Sequence, residues 1–418
     1  MDRLIIKGDA ELKGSIAIKG SKNSALPIMV SALLSNNTLK LKNIPKLDDI
    51  KNMSKLLRSY GAIIKASSNT IKINCKKVVN KDTDYDIVRK MRASILILGP
   101  MLARFGKAKI SLPGGCAIGT RPIDIHLEGL KKLGANFTVE NGYVLGEVNN
   151  RLVGNHIRLP FPSVGATENI MMAAVRAQGK TIIENAAMEP EIADLADSLN
   201  KMGSNIKINN KGIIKITGVK KLNRANHKIM SDRIVAGTFV IAAIMLNKKF
   251  EVKNIESKHL KALTSVLKEM GANIKIKENV INILQTKELN GTKIQTSPYP
   301  GFPTDLQAQM MALMSLAKGN SQIRENIFEN RFMHVPELNR LGAKIRVKKD
   351  VAFISGLRNF KGAQVMASDL RASVSLVLAA LCAEGESEIN RVYHLDRGYE
   401  KIENTLGKLG PSIKREKY

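Results

Sequence analysis

The stretch Leu130–Phe137, L-K-K-L-G-A-N-F, is one of six variants of a pattern that decides the fold. Each variant has the form Leu-x-x-Φ-Gly-Ala/Ser-x-apolar, with small variations, where Φ is apolar or aromatic. Each predicts the end of an amphipathic helix, a glycine just beyond it, and the start of a β-strand. The glycines recur about every 70 residues, which indicates one supersecondary unit repeated six times. They are Gly61, Gly134, Gly203, Gly271, Gly342 and Gly410.

A second helix is predicted at the same period. Each copy opens near a small or polar residue able to cap it and is then apolar on nearly every face, which predicts burial on all sides. The copies begin at Asn23, Arg92, Ala166, Asp232, Asp305 and Asp369. Six βαβ-type units with one buried helix each do not fit a single doubly wound sheet. We therefore expect two α/β domains of three units, each closed around its own buried helices.

Charged residues cluster at the N-terminal ends of these buried helices. Helix N-termini present free N–H groups and the positive end of a dipole, which favour phosphate or carboxylate. If both domains direct these ends at one cleft, that cleft is expected to bind anions. The residues are Lys22, Arg92, Asp232, Asp305, Asp369 and Arg371.

The stretch Leu112–His126, L-P-G-G-C-A-I-G-T-R-P-I-D-I-H, is the strongest functional candidate. Pro113-Gly114-Gly115 cannot continue a helix or a central strand, so Cys116 is predicted to lie on a loop with an unusually free backbone. Arg121 would stabilise a thiolate at this position. From the loop alone the alternative stays open, because a lone cysteine is usually a small hydrophobe.

Composition narrows the classes of partner. The chain has 418 residues and a formal net charge of +29, which nucleic acid, an anionic membrane surface or small anionic substrates could explain. Lysines are spread through every segment and aromatic residues are only 4%, a composition that disfavours nucleic-acid binding. No apolar run reaches the roughly 20 residues of a spanning helix, and the N-terminus lacks a signal-peptide core. We expect a cytoplasmic protein that binds neither nucleic acid nor membrane.

Cysteine and histidine usage predicts no metal. Cys75 lies in a strand-like run and Cys382 in an apolar helix, so both are predicted to be structural. The chain has no C-x-x-C pair, and its histidines show no metal-binding spacing. Gly179-Lys180-Thr181 imitates the end of a phosphate-binding loop but lacks the upstream glycine, and it is predicted to be a helix–strand turn.

Over its whole length the chain resembles the UDP-N-acetylglucosamine 1-carboxyvinyltransferases, a family of enolpyruvyl transferases. The resemblance implies a two-domain inside-out α/β barrel of six repeats, three per domain. It implies one domain over residues 22–229, a discontinuous second domain over 1–21 and 230–418, and an active-site cleft between them. The matching stretches are Gly20–Pro27, Met91–Ser94, Leu112–Asp124, Pro162–Asn169, Tyr299–Asp305, Phe328–His334, Ser368–Ala372 and Asp396–Tyr399.

The reaction that this resemblance implies is transfer of the enolpyruvyl group of phosphoenolpyruvate to the 3′-hydroxyl of UDP-N-acetylglucosamine, with release of phosphate. It begins peptidoglycan precursor synthesis. Addition followed by elimination needs an acid, a base, and cations for a phosphate and a carboxylate. The resemblance implies a monomer with these two small-molecule substrates as partners and without a cofactor.

Site residues are carried over by position. Cys116 is implied as the general acid on a mobile lid loop, open to alkylation by fosfomycin, and Asp305 as the base. The structural alternative for Asp305 is a helix cap, and the two roles can coexist. The catalytic set is Cys116, Asp305, Lys22 and Arg397, and the phosphoenolpyruvate set is Lys22, Asn23, Arg121 and Arg397. The nucleotide-sugar set is Arg92, Arg121, Pro122, Ile123, Asp124, Ile125, Ser163, Val164, Asp305 and Ile327, and the cleft-lining set is Arg331, Asp369 and Arg371.

One departure and three alternatives stay open. Some family members carry a nucleotide-contacting lysine where this chain has Phe161-Pro162, which leaves that contact open. The sister enolpyruvyl transferase that accepts shikimate 3-phosphate shares the implied fold but lacks the cysteine loop. A basic repeat protein that binds an anionic polymer and an inactive regulatory paralogue are the non-enzyme alternatives.

Overall fold

The computed structural model describes residues 2–81, 88, 91–112 and 123–417 and shows a mixed α/β protein. Short 3-10 turns cover Ala32–Leu34, Arg92–Ile97, Ser257–Leu260, Thr304–Leu306 and Val392–Arg397. The α-helices are α1 (Lys22–Ser31), α2 (Asp48–Ser59), α3 (Leu98–Phe105), α4 (Asp124–Lys132), α5 (Val164–Ala174), α6 (Pro190–Lys201), α7 (Arg233–Met245), α8 (Lys261–Glu269), α9 (Gln307–Ser315), α10 (Val335–Arg340), α11 (Leu370–Leu381) and α12 (Ile402–Gly407).

The strands are short, toward the lower end of the lengths usual in globular proteins. They are β1 (Asp2–Lys7), β2 (Ser15–Ala17), β3 (Thr38–Lys42), β4 (Ile63–Ser67), β5 (Thr70–Asn74), β6 (Lys107–Ser111), β7 (Ala135–Glu140), β8 (Tyr143–Val148), β9 (His156–Arg158), β10 (Lys180–Glu184), β11 (Asn205–Ile208), β12 (Ile214–Thr217), β13 (Ala225–Lys228), β14 (Phe250–Lys253), β15 (Ile274–Lys277), β16 (Val280–Ile283), β17 (Lys293–Gln295), β18 (Asn320–Arg324), β19 (Lys344–Lys348), β20 (Val351–Ser355), β21 (Phe360–Lys361), β22 (Gln364–Met366), β23 (Ala383–Glu384), β24 (Glu386–Asn390) and β25 (Ile413–Lys417).

The described residues divide into two compact units, with boundaries after Lys19 and after Met230. The first unit runs from Gly20 to Met230, and the second combines the chain up to Lys19 with the chain from Ser231. Each unit has its own hydrophobic core, and no buried residue belongs to both cores. Each unit is therefore a domain in the physical sense of a chain region with its own core.

Sheets of one pattern recur in both units. The first unit contains sheets ordered β13-β3-β5-β4, β6-β8-β7 and β11-β12-β10-β9, and the second contains β15-β16-β14-β2, β17-β18-β20-β19, β22-β24-β1-β25 and the small pair β21-β23. Every four-stranded sheet has one parallel pair at one edge and antiparallel pairing elsewhere. The sheets formed by the described residues are open, with two edge strands each.

The predicted buried helices are confirmed. In α5, α9 and α11 nearly every side chain is buried, and α1 and α7 are buried over most of their length. The predicted starts need correction in two copies, because the chain at Arg92 and at Asp305 first forms a 3-10 turn and enters the α-helix a few residues later.

The predicted glycine turns are also confirmed. All six repeat glycines have φ between 96° and 119°, a left-handed backbone that a side chain would strain. Gly61 shows the geometry, since its N–H donates to the carbonyl of Arg58 at 2.9 Å as α2 ends. Gly179 has φ of 86° just before β10, so the predicted helix–strand turn is correct.

Cys75 is a buried free thiol and Cys382 a partly buried one packed against the core, which agrees with their predicted structural role. Burial raises the pKa of each to about 12, which removes thiolate character at neutral pH. Among the residues that the structure describes, no helix has the length and apolar character of a membrane span.

Candidate active site

The start of α1 places Lys22 and Asn23 in the first unit. Ser21 caps the helix by accepting a hydrogen bond from the Ser24 N–H at 3.3 Å. The Lys22 ammonium lies 3.0 Å from a carboxylate oxygen of Asp49, which is almost fully buried at the start of α2. This ion pair fixes the direction of the lysine side chain.

The helices α4 and α5 bring together two segments of the predicted nucleotide-sugar set. The ring of His126 on α4 packs against Gly165 on α5, where an added Cβ would lie 3.1 Å from the ring. Ser163 caps α5 by accepting from the Ala166 N–H at 3.4 Å. The predicted residues on the two sides of this contact are Ile123, Asp124, Ile125, Ser163 and Val164.

Of the remaining predicted residues of the first unit, the structure describes some and not others. Arg92 begins a 3-10 turn and is partly buried. Cys116, Arg121 and Pro122 lie outside the described residues. Phe161, at the position where some relatives carry a lysine, is exposed.

In the second unit, Asp305 is held between two arginines. Its carboxylate oxygens lie 2.9 Å from a nitrogen of Arg331 and 2.8 Å from a nitrogen of Arg371. The arginine side chains are only 4% and 5% exposed, whereas that of Asp305 is 28% exposed. The carboxylate of Asp305 is therefore partly accessible while both of its arginine partners are buried. The alternative prediction of a helix cap for Asp305 is wrong, because Asp305 lies within the 3-10 turn and the N-cap of α9 is Leu306.

Buried polar side chains form hydrogen bonds next to Asp305 and Arg371. Gln309 donates to the backbone carbonyl of Asp305 and to the hydroxyl of Thr238, each at 3.1 Å. That hydroxyl lies 2.8 Å from the hydroxyl of Tyr399. Burial alone would lower the pKa of Arg371, but Asp305 raises it above its ordinary value. Arg371 therefore remains a cation.

Asp369 joins the same neighbourhood. Its carboxylate caps α11 by accepting from the N–H groups of Arg371 at 2.8 Å and Ala372 at 3.1 Å, as predicted for a capping residue. Burial lowers the pKa of His394, and Arg397 lowers it further, while Asp369 opposes both. The predicted residues Arg331, Asp305, Arg371 and Asp369 thus belong to one charged cluster of the second unit, joined by direct contacts. Arg397, at the end of the turn Val392–Arg397, lies close enough to His394 to lower its pKa.

His334 and Glu325 are organising residues that the sequence did not predict. Burial lowers the pKa of His334 to about 4, Asp369 raises it and Arg331 lowers it. The buried carboxylate of Glu325 accepts from the Thr304 hydroxyl and from the Ile327 N–H, both at 2.9 Å. Glu325 therefore ties the predicted nucleotide-sugar residue Ile327 to the turn that carries Asp305.

Two further acidic groups of the first unit were also missed. Asp49 lies on the apolar stripe of α2 with Ile50 and Met53, and a carboxylate on such a stripe is the signal that could have found it. Burial raises the pKa of Glu168 on the apolar helix α5 well above its ordinary value, and Glu191 raises it further. A charged residue in an otherwise apolar helix was the available signal there.

One group among the described residues has metal-ligand atoms within 4.8 Å of one another: Asp194, Asp197 and His227. The Lys201 ammonium lies 2.6 Å from Asp197 and 3.4 Å from Nδ1 of His227, so the group contains its own cation. The absence of a bound metal stays a prediction.

Comparisons with solved structures define the class. The enolpyruvyl transferase NikO from Streptomyces tendae matches with a TM-score of 0.91 at 22% identity, over 99% of this chain and 98% of that one. EPSP synthase from Acinetobacter baumannii matches with a TM-score of 0.77 at 17% identity, over the whole of both chains. The sequence model of the EPSP synthase (3-phosphoshikimate 1-carboxyvinyltransferase) family matches residues 6–406. The fold is that of the enolpyruvyl transferases.

Closer relatives define the family. The UDP-N-acetylglucosamine 1-carboxyvinyltransferase of Pelagibacter ubique (strain HTCC1062) is 51% identical over 415 residues, 99% of this chain and 100% of the relative. The protein of the same name from Geobacter metallireducens is 49% identical over 417 residues and the whole of both chains. The chain belongs to the UDP-N-acetylglucosamine 1-carboxyvinyltransferase family of enzymes, and the predicted resemblance is confirmed.

Proposed function

We propose that this enzyme transfers the enolpyruvyl group of phosphoenolpyruvate to the 3′-hydroxyl of UDP-N-acetylglucosamine. The observation that carries the proposal is identity of about one half, from end to end, with relatives named for this transfer. In the addition step, the 3′-oxygen bonds to C2 of phosphoenolpyruvate while its methylene carbon gains a proton. In the elimination step, that carbon loses a proton and the bond from C2 to the phosphate oxygen breaks, which releases phosphate.

In this proposal Cys116 is the acid that protonates the methylene carbon, and Asp305 takes the proton of the attacking hydroxyl. The accessible carboxylate of Asp305, fixed by two buried arginines, supports the second role, because a base must be positioned before it can act. Lys22, Asn23, Arg121 and Arg397 are proposed to bind phosphoenolpyruvate. Planar guanidinium groups suit its carboxylate and phosphate.

The nucleotide sugar is proposed to contact the adjoining starts of α4 and α5 together with Arg92, Asp305 and Ile327. The α4–α5 contact supports this assignment, since the ring of His126 on the first turn of α4 packs against Gly165 on the first turn of α5. Arg331, Asp369 and Arg371 are proposed to line the same site.

The finer architecture is part of the proposal. The five four-stranded sheets of one pattern and the six left-handed glycines support six copies of one unit in an inside-out α/β barrel arrangement. We place the enzyme in the cytoplasm as a monomer, at the first committed step of peptidoglycan precursor synthesis and so in cell-wall biogenesis, cell shape and cell division.

Phosphate release from phosphoenolpyruvate tests the reaction. One assay contains UDP-N-acetylglucosamine, a second shikimate 3-phosphate, and a third the nucleotide sugar with fosfomycin. Release with the nucleotide sugar alone, stopped by fosfomycin, is expected. Release only with shikimate 3-phosphate would overturn the substrate and favour the sister transferase, and no release would favour an inactive paralogue.

Replacing the thiol tests the acid. Cys116→Ser is expected to lose turnover by roughly 10²–10⁴-fold, the usual contribution of a general acid, and to lose the mass increase from fosfomycin. Cys382→Ser is the matched control and should leave both properties unchanged, because partial burial raises the pKa of that thiol to about 12. Full activity of Cys116→Ser would remove Cys116 from the acid role.

A further inference from the structure

The carboxylate of Asp194, on α6 of the first unit, connects this helix to two other parts of the chain, α1 and the segment from His227 to Met230. Its Oδ2 accepts a hydrogen bond from the hydroxyl of Ser24 and a second from the N–H of Met230 at 3.1 Å. Its Oδ1 lies 3.0 Å from Nε2 of His227. A carboxylate only accepts, so each of these groups must donate to it, and the neutral or charged imidazole must carry a hydrogen on Nε2.

His227 is the second member of this arrangement. It lies on β13, which runs parallel to β3, and its side chain is 1% exposed. Its other ring nitrogen, Nδ1, faces the Lys201 ammonium at 3.4 Å and a carboxylate oxygen of Asp197 at 3.5 Å. The hydrogen bond from Nε2 to Asp194 fixes the orientation of the ring, since the partners of Nδ1 are farther from the ring and more exposed to solvent.

The target of the arrangement is the first turn of α1. Ser24 is fully buried in that turn, and the capping residue Ser21 donates its N–H to the carbonyl of Met230 at 2.7 Å. Met230 thus contacts the turn at Ser21 while its own N–H is held by Asp194. Lys22 and Asn23 lie between the two serines, so their position depends on both contacts.

We propose that Asp194 and His227 form a positioning pair that holds Lys22 and Asn23 in the geometry required for phosphoenolpyruvate. The inference rests on the proposed function, in which these two residues bind that substrate. The pair touches no predicted nucleotide-sugar residue in any hydrogen bond of the described chain. The pair therefore positions residues for one substrate only. Its loss should raise the KM for phosphoenolpyruvate without raising the KM for UDP-N-acetylglucosamine.

The first experiment replaces one carboxylate by its amide. Asp194→Asn keeps the shape but supplies one acceptor oxygen where Ser24, Met230 and His227 all donate. The KM for phosphoenolpyruvate is expected to rise about tenfold, the effect of losing one charge-assisted hydrogen bond, while that for UDP-N-acetylglucosamine stays within about twofold. An equal rise in both values, or a lower Tm with unchanged KM values, would overturn the proposal.

Asp197→Asn is the matched control. Asp197 lies one turn along the same helix, is 54% exposed, and approaches the same imidazole, but it has no bond to Ser24 or Met230. It is expected to match the wild-type protein. If Asp197→Asn raised the KM for phosphoenolpyruvate as much as Asp194→Asn, the assignment to Asp194 would be wrong.

Two variants at His227 test the direction of the hydrogen bond. The amide of His227→Gln can still donate from the position of Nε2 and should retain most affinity for phosphoenolpyruvate, whereas His227→Leu should match Asp194→Asn. Equal KM values for the glutamine and leucine variants would contradict a positioning role for the donor.

Two further measurements separate the alternatives. If the three ligand atoms held a metal instead, dialysis against a chelator would raise the KM for phosphoenolpyruvate and zinc would restore it; we expect no change. Hydrogen exchange of residues 22–31 should quicken in Asp194→Asn even if the wild-type protein releases no phosphate. Unchanged exchange overturns the positioning pair, while absent wild-type turnover overturns only the proposed reaction.

Discussion

At the scale of single residues, Asp305 is the clearest case of a side chain whose neighbours define its role. Arg331 and Arg371 are buried and contribute two positive charges, and Asp305 is the carboxylate shared between them. Burial of an unpaired guanidinium is strongly unfavourable, so the carboxylate stabilises the fold as well as the site. Removing the side chain would affect both the stability of the fold and the activity of the site. Measuring the free energy of unfolding and the turnover separately distinguishes the two effects.

Asp305→Ala is expected to lower the free energy of unfolding by about 3 kcal/mol, the lower end of the range for a broken buried ion pair because Asp305 is partly exposed. Thermal or urea unfolding measures it. The control is Asp350→Ala, whose ion pair with Arg324 is exposed on both sides and should contribute less than about 1 kcal/mol. Similar losses in the two variants would show that the arginines are stabilised by other partners.

His334 gives a prediction for acid pH. Burial lowers its pKa from the ordinary value of 6.5 to about 4, so the unfolded chain takes up a proton that the folded protein does not. The contribution of this group to stability is complete above pH 6.5 and is lost as the pH falls toward 4, by up to about 1.4 kcal/mol per pH unit. The fall in Tm between pH 7 and pH 5 should be smaller in His334→Gln, and an unchanged fall would contradict the prediction.

These contacts between single residues could not be predicted from the sequence. The predicted helix start drew attention to Asp305, but the partners of its carboxylate lie 26 and 66 residues away, and a linear pattern shows only local alternatives such as a cap. The same holds for Asp194, which meets Ser24 across 170 residues. Motif resemblance selected Asp305 but not Asp194, and the fold supplied the partners of both.

At the scale of elements, the sequence was most informative where one local physical rule decides the outcome. A helix that is apolar on all faces must be buried, and a glycine after a helix must be left-handed if the chain reverses there. The 3-10 starts at Arg92 and Thr304 were missed because they depend on packing rather than on composition.

The contact between α3 and α5 predicts how a substitution at Gly99 changes the free energy of unfolding. A Cβ at Gly99 would lie 2.4 Å from the backbone oxygen of Asn169, whose side chain also accepts from the Gly99 N–H at 2.7 Å. Gly99→Ala should therefore destabilise by about 1–3 kcal/mol, although alanine favours helices.

Gly407→Ala is the control for Gly99→Ala. Gly407 ends α12, and a Cβ there would meet nothing within 4 Å. Alanine at this position should be neutral or stabilise by up to about 1 kcal/mol, through helix propensity and a less flexible unfolded chain. A destabilised Gly407→Ala, or an unaffected Gly99→Ala, would mean that close approach of the helices does not decide the outcome.

At the scale of the whole molecule, the second unit and its core are built from two separate parts of the chain, the N-terminal segment and the chain from Ser231. The N-terminal segment supplies β1, which pairs with β24 on one side and β25 on the other, and its Leu4 and Ile6 are fully buried. Repeat counting predicted three units in each half, whereas the crossing of the N-terminus came from the family resemblance. No local pattern in residues 2–7 distinguishes an interior strand of a distant sheet from an edge strand nearby.

This architecture predicts which segments fold alone. Residues 20–230 contain every strand of their own sheets and should show cooperative thermal unfolding by circular dichroism. Residues 231–418 lack β1 and β2, so β24 and β25 lose their common neighbour and β14 loses its parallel partner. This segment should therefore remain largely unfolded. Because Asp2 is opposite Lys417 in the antiparallel pairing of β1 with β25, a short turn can join Tyr418 to Met1. A permuted segment, 231–418 followed by a short linker and residues 1–19, should therefore recover a cooperative transition. If 231–418 alone unfolded as cooperatively as the permuted segment, burial of β1 would not be what completes this core.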